Sequence, residues 1–253
     1  MLDAPERDRL RVVLVATRNP LNLGAAARAM SNFGFLQLRV VNPYEVAFRE
    51  ARSAVGAAPL LARAEEFKVV AEAVADCTLV VGTTAGRARQ PQHAQRRLEE
   101  GAALIRKRLR TGRVALLFGS EKRGLSNEDL SHCHWLVRVP TRAEHPSMNL
   151  AQAVAVCLYE LVREGKAVRG AEKTKVAVAG EAERLTELLL EVLAASGYLK
   201  PRSGADTEEK IRRLVRRLRL PAADAEVWLG MLRQMAWKFR RQTSGVRRQQ
   251  EQE

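Results

Sequence analysis

Three short stretches combine polar side chains and glycines at spacings that suit a ligand site. The first is Asn19-Pro20-Leu21-Asn22-Leu23-Gly24, followed by Arg28. Asn22 suits the N-cap region of a helix, Gly24 lets another backbone approach closely, and Arg28 falls one turn inside that helix. A plain cap and a surface arginine fit the pattern equally well. The second runs from Gly119 through Ser120, Glu121, Lys122 and Arg123 to Gly124, Leu125 and Ser126. Its glycine spacing is that of a phosphate-binding P-loop, but Leu125 stands where that loop needs its lysine, which disfavours a nucleoside triphosphate. No Gly-x-Gly-x-x-Gly appears, so an ordinary dinucleotide site is disfavoured too. What remains is a glycine-hinged loop carrying an acid, suited to close packing on an adenosine moiety or to an ordinary turn. The third is Pro146-Ser147-Met148-Asn149-Leu150-Ala151, where both Ser147 and Asn149 stand where a side chain caps a following helix. His132, Cys133 and His134 lack a second ligand pair at finger spacing, and no metal is expected.

Each stretch follows an apolar run that reads as a buried strand. The runs are residues 11–16, 37–41, 77–82, 113–119 and 135–139, nearly continuous rather than alternating, as strands covered on both faces require. Helical patterns lie between them at 25–33, near 65–75, at 93–109 and at 149–163. This order predicts an α/β domain with a parallel sheet and helices on both faces over residues 1–165. Residues 166–180 read as a linker. Residues 181–241 then carry three apolar stripes at helical spacing, a small all-α extension, and 242–253 read as a frayed, flexible tail.

The composition excludes other classes. With 46% hydrophobic and 28% charged residues the chain is not disordered throughout, and no stretch approaches the roughly 20 apolar residues a membrane span needs. No secretory signal is visible, and Cys77, Cys133 and Cys157 read as buried thiols, so a cytoplasmic location is expected. The formal net charge of +14 points to a polyanion, most simply nucleic acid. Residues 1–165 hold 24 basic and 17 acidic side chains, and 166–253 hold 19 and 12, so the shorter part is the more densely positive. The second helical stripe is densest: Arg212, Arg213, Arg216 and Arg217 surround it, with no acid between 210 and 220. That favours a phosphate-contacting helix over a solvated face.

The three stretches, in this order, resemble the motifs of the SpoU/TrmH-type RNA 2'-O-methyltransferases of the SPOUT superfamily, over roughly residues 8–165. The end of the chain, around Leu229-Gly230-Met231-Leu232-Arg233-Gln234-Met235, is similar to the helical extension of TrmJ-like tRNA methyltransferases. Ser120 stands where those relatives often carry Arg. The resemblance implies a trefoil knot at the C-terminal side of the catalytic domain, a homodimer and S-adenosylmethionine as methyl donor. It implies donor contacts at Thr83, Thr84, Ala85, Gly119, Gly124, Val139, Pro146, Ser147 and Met148. Asn22, Arg28, Glu121, Ser147 and Asn149 become the polar catalytic group. The substrate would be tRNA, at a cytidine or uridine at the start of the anticodon loop, with another tRNA or rRNA site, or an RNA-binding protein without activity, as alternatives.

Methyl transfer to a ribose 2'-hydroxyl needs two reactants held in line and stabilisation of the charge growing on oxygen. A guanidinium stays protonated, so Arg28 is expected to act electrostatically, on the adjacent phosphate and the developing alkoxide. Glu121 is expected to orient donors rather than take a proton. Arg212, Arg213, Arg216 and Arg217 are expected to grip the RNA backbone.

Overall fold

Seven strands run parallel in one sheet of order β3-β2-β1-β6-β4-β7-β5. The computed structural model describes residues 2–43, 58–86, 93–163, 175–199 and 205–250. The strands are β1 (Leu10–Val15), β2 (Leu38–Val41), β3 (Glu65–Phe67), β4 (Leu79–Thr83), β5 (Gln95–Arg97), β6 (Val114–Phe118) and β7 (Trp135–Arg138). The first two thirds of the chain add helices α1 (Ala4–Arg7), α2 (Pro20–Phe33), α3 (Ala58–Ala62), α4 (Val70–Val74), α5 (Leu98–Leu109), α6 (Asn127–Ser131) and α7 (Leu150–Val162).

The apolar runs form the sheet because alternate residues enter two cores. Val12 and Leu14 pack with α2, α5 and α7 on one face, while Val13 and Val15 pack with α4 and Leu125 on the other. All five expected strands are present. Two more, β3 and β5, were not legible: each has three residues, lies at a sheet edge and is largely exposed, so no apolar run marks it. The helix expected near 65–75 therefore divides into β3 and α4, and the one at 93–109 into β5 and α5. Helix α2 starts at Pro20, before residue 25, because the Asn19 side chain accepts the Leu21 N–H at 2.9 Å.

Three further helices follow: α8 (Ala179–Ala195), α9 (Ala205–Leu218) and α10 (Ala222–Gln250). They share a core of their own, including Leu185, Val192, Val215, Leu229 and Leu232. Backbone of α10 stays helical to Gln250, through most of the expected tail. Of the expected linker and tail, residues 166–174 and 251–253 lie outside the described residues. Residues 175–180 are no loose linker. Ala177 N–H bonds Leu220 O at 3.0 Å, Ala179 N–H bonds Cys77 O at 2.7 Å and Gly180 N–H bonds Ala75 O at 2.8 Å, so they join the sheet domain to the last helices.

Glu183 on α8 is the electrostatic centre of that junction. Its carboxylate takes Arg212 at 2.9 Å and Arg216 at 3.0 Å, with His132 at 3.5 Å. Arg212 also bonds Ser131 Oγ and Glu208, Arg216 bonds Ala179 O, and Arg213 pairs with Glu209. Arg212, Arg213 and Arg216 are 9%, 9% and 1% exposed. The expectation that all four arginines form an open phosphate-binding face is therefore corrected: three turn inward to acids, and Arg217 is exposed. The acid-free interval concealed this, because the partners lie on α8 and one turn earlier on α9.

Burial opposes ionisation of Glu183, yet His132, Arg212 and Arg216 outweigh it and hold its pKa at about 2. A depressed carboxylate stabilises the fold above its unfolded-state value, near 4.5, and that contribution is lost as pH falls toward 2. Glu183→Gln leaves two buried guanidinium groups short of an anion and should cost about 3–5 kcal/mol at pH 7 in denaturant unfolding. The gap from the wild type should narrow as pH drops from about 4.5 toward 2.

Candidate active site

Register brings the chemistry-bearing loops together. Leu14 pairs with Phe118, Gly82 with Leu117 and Thr83 with Val137, so adjacent strands β1, β6, β4 and β7 end at one level. Beyond those ends open the loops holding residues 17–22, 119–126, 83–86 and 139–149. In open α/β sheets ligands gather in the crevice past the carboxyl ends of the strands.

A cavity of about 1020 Å³ occupies that crevice. Thr83, Thr84, Ala85, Gly119, Gly124, Val139, Pro146, Ser147 and Met148 all line it, as does Glu121. Leu125, Leu136, Val137 and Leu150 add apolar wall. Thr83 Oγ1 donates to Leu117 O at 2.9 Å, and Thr84 Oγ1 accepts the Gly86 N–H at 3.1 Å, so both hydroxyls set the shape of their loop. The loop from Ser120 to Gly124 closes on itself, with Gly124 N–H to Ser120 O at 2.8 Å. Gly119 lies directly beneath the closure: a Cβ there would fall 2.0 Å from Gly124 C and 2.1 Å from Leu125 N. Gly124 has open space but φ of +68°.

At the cavity's edge a directional hydrogen-bond chain links all three motifs. Asn149 Oδ1 accepts the Ala151 N–H at 2.9 Å and caps α7. Its Nδ2 donates to Asn22 Oδ1 at 2.8 Å, and Asn22 Nδ2 donates to Glu121 Oε1 at 3.0 Å. A carboxylate only accepts, so it sets the direction of both amides. Burial works against ionisation of Glu121, but Asn22 and the backbone N–H groups of Arg18 and Asn19 prevail and hold its pKa below the usual carboxylate range. The group is an anionic anchor. Ser147 lines the cavity and does not cap; Asn149 caps.

Arg28 is placed differently from its expectation. Because α2 starts at Pro20, Arg28 is its ninth residue, roughly 12 Å along the axis rather than one turn in. It is exposed and lies outside the cavity lining. His134, half-buried, accepts the Val80 N–H at Nδ1, and desolvation of its ring brings its pKa to about 3, so it serves the sheet.

The cavity also has walls the sequence reading missed. His93 and Gln95 line it, as do Lys122 and Arg123 at the glycine loop. Asp206, Glu209, Lys210 and Arg213 of α9 complete it. The spacing of those four marks one helix face, but nothing in the sequence indicates which way that face turns. Burial, followed by the charges of Arg213 and Arg217, brings the pKa of His93 to about 4, so it is neutral near pH 7.

The family model of the SpoU rRNA methylases matches residues 9–159, the segment that builds this sheet and its loops. The chain belongs to the SpoU rRNA methylase family. Among members of known name, the tRNA (cytidine/uridine-2'-O-)-methyltransferase TrmJ of Yersinia pestis strain Pestoides F is 33% identical over 231 residues, covering 88% of this chain and 90% of its own. The tRNA (cytidine/uridine/adenosine-2'-O-)-methyltransferase TrmJ of Pseudomonas aeruginosa is 34% identical over 238 residues, covering 89% and 93%. The crystal structure of TrmJ from Z. mobilis ZM4 superposes with a TM-score of 0.77 at 31% identity, over 89% of this chain and 98% of that one. Coverage of 88–89% of this SpoU-family chain is longer than the segment 9–159 that the family model matches.

The two loop glycines should fail for different reasons. Gly119→Ala must displace the loop backbone and should cost about 1–3 kcal/mol, with loss of loop protection in hydrogen exchange. Gly124→Ala meets no atom and should cost only the left-handed backbone strain, about 1–2 kcal/mol, with the loop intact.

Proposed function

We propose that this SpoU-family chain transfers a methyl group from S-adenosylmethionine to a ribose 2'-hydroxyl of tRNA, at a cytidine or uridine at the start of the anticodon loop. The observation that carries the reading is the convergence of all nine expected donor contacts on one cavity, with the Asn149–Asn22–Glu121 chain at its edge. The fit is chemical as well. The cavity offers an apolar slot beside a tight glycine loop for an adenosine, and at its far side both carboxylates and cations. Its volume is at the upper end of the usual 300–1,000 Å³ for ligand sites. The bound donor supplies an activated methyl group on sulfur.

The residues of the chain supply position and charge. Gly119 and Gly124 let the loop close, while Thr83, Thr84, Ala85, Val139, Pro146, Ser147 and Met148 shape the rest of the donor site. Glu121 anchors Asn22, and Asn22 orients Asn149, so the entrance to the cavity keeps fixed dipoles where the ribose would arrive. Arg28, exposed and outside the cavity, suits contact with the RNA phosphate and the developing alkoxide rather than with the donor. Lys122 and Arg123 at the cavity, with exposed Arg217, are the cations left to meet the RNA backbone there. RNA alone presents the acceptor hydroxyl. In this reading the loops beyond β6 and β7 form a trefoil knot, two copies form a homodimer, and the enzyme works in the cytoplasm.

The test is methyl transfer from labelled S-adenosylmethionine to tRNA transcripts. One methyl per tRNA is expected, and none when the target nucleotide is 2'-deoxy; donor binding without incorporation into any tRNA would refute the reading. Arg28→Ala should lower turnover on the order of 100- to 1,000-fold, as loss of one oxyanion-stabilising donor does, with the donor Kd unchanged in calorimetry.

A further inference from the structure

Helix α9 has two polar faces with different surroundings. Arg212 and Arg216 turn toward Glu183 and Ser131 and fasten the helix to its neighbours, and exposed Glu208 pairs with Arg212 on the helix itself. Asp206, Glu209, Lys210 and Arg213, at spacings of three and four, line the cavity. Glu209 is fixed there by Arg213 at 3.3 Å, both side chains being mostly covered. His93 lines the same cavity, close enough to Arg213 and Arg217 for their charges to act on it. Its Nε2 is buried and has no hydrogen-bond partner among the described residues. A buried polar atom without a partner is costly and points to a group that completes it.

We infer that this face of α9 is a wall of the donor site, with Glu209 and Asp206 binding the ammonium of the donor's amino-acid end, Lys210 its carboxylate, and His93 Nε2 completing the contact. The inference rests on the reading that the cavity takes S-adenosylmethionine. Its logic is complementarity. The apolar wall and glycine loop leave the adenosine end little to pair with by charge, whereas both signs of charge on α9 match a zwitterion. The helical segment after residue 175 is then part of the cofactor site as well as an appendage, and donor occupancy and the seating of α9 stabilise each other.

Calorimetry on the full chain tests this with three probes: S-adenosylmethionine, S-adenosylhomocysteine, and 5'-methylthioadenosine, which lacks the amino-acid end. Glu209→Gln and His93→Leu should each weaken binding of the first two on the order of tenfold, the loss typical of a hydrogen bond to a charged group. Binding of 5'-methylthioadenosine should be unchanged. Glu187→Gln, exposed on α8 and outside the cavity lining, should leave all three affinities as in the wild type. Amides of residues 205–218 should gain hydrogen-exchange protection when S-adenosylhomocysteine binds. Changes below twofold in both cavity variants, or equal losses for all three probes, overturn the inference while leaving the donor site in place. A wild-type chain that binds none of the probes overturns the donor reading itself.

Discussion

Four parallel strands that end at one level are the constraint on which the rest of the molecule depends. Because β1, β6, β4 and β7 are adjacent and paired to within one residue of their ends, the loops that follow them leave from a single edge. The chain segments involved are far apart: residues 17–22, 83–86, 119–126 and 139–149. The sheet reduces that separation to neighbouring strand spacings of about 4.8 Å. Where β1 ends, Ala16 takes a left-handed conformation, φ of +51°, which an L side chain adopts only at some cost. The turn out of the sheet toward Asn19 and Asn22 is therefore a local strain held by the surrounding fold.

On that edge the three motifs are joined by polarity as well as proximity. Glu121 only accepts, the backbone N–H groups at the start of α7 only donate, and Asn22 and Asn149 lie between them. The two amides have one orientation that satisfies both ends. An aspartate at either position would break the sequence of donors and acceptors although its size is nearly the same. Glu121, held ionised by this arrangement, is an anchor and not a proton acceptor, which agrees with a reaction whose demand is alignment and charge stabilisation.

The positive charge of the last third has a different distribution from the one its density suggests. Arg212 and Arg216 neutralise Glu183 at the junction, and Arg213 neutralises Glu209 at the cavity. Desolvated guanidinium groups need partners, and each has one. Among the remaining cations near the cavity, Lys122, Arg123 and Arg217 are exposed. α9 thereby connects the two parts of the molecule and forms part of the cavity surface.

Local pattern determined the five central strands, the helices between them and the three helical stripes at the end, and it singled out the stretches that hold Asn22, Gly119, Glu121, Gly124, Ser147 and Asn149, whose place in one site was implied by the family resemblance and not by the pattern. Those features depend on short-range order: apolar runs long enough to be buried on both faces, caps, and glycines placed where a loop must close. Edge strands β3 and β5 were beyond reach, because three exposed residues owe their structure to a neighbour's backbone and carry no pattern. The same holds for charge. Sequence counts the arginines of α9 but does not say which way a helix turns, and burial against Glu183 and Glu209 was decided only when α8 and α9 packed. Arg28 was displaced from the cavity by the cap at Asn19, which starts α2 early, and His93 and Glu209 entered the cavity wall through contacts across more than a hundred residues. Tertiary structure alone could decide these, since the partner that fixes each side chain comes from a distant part of the chain.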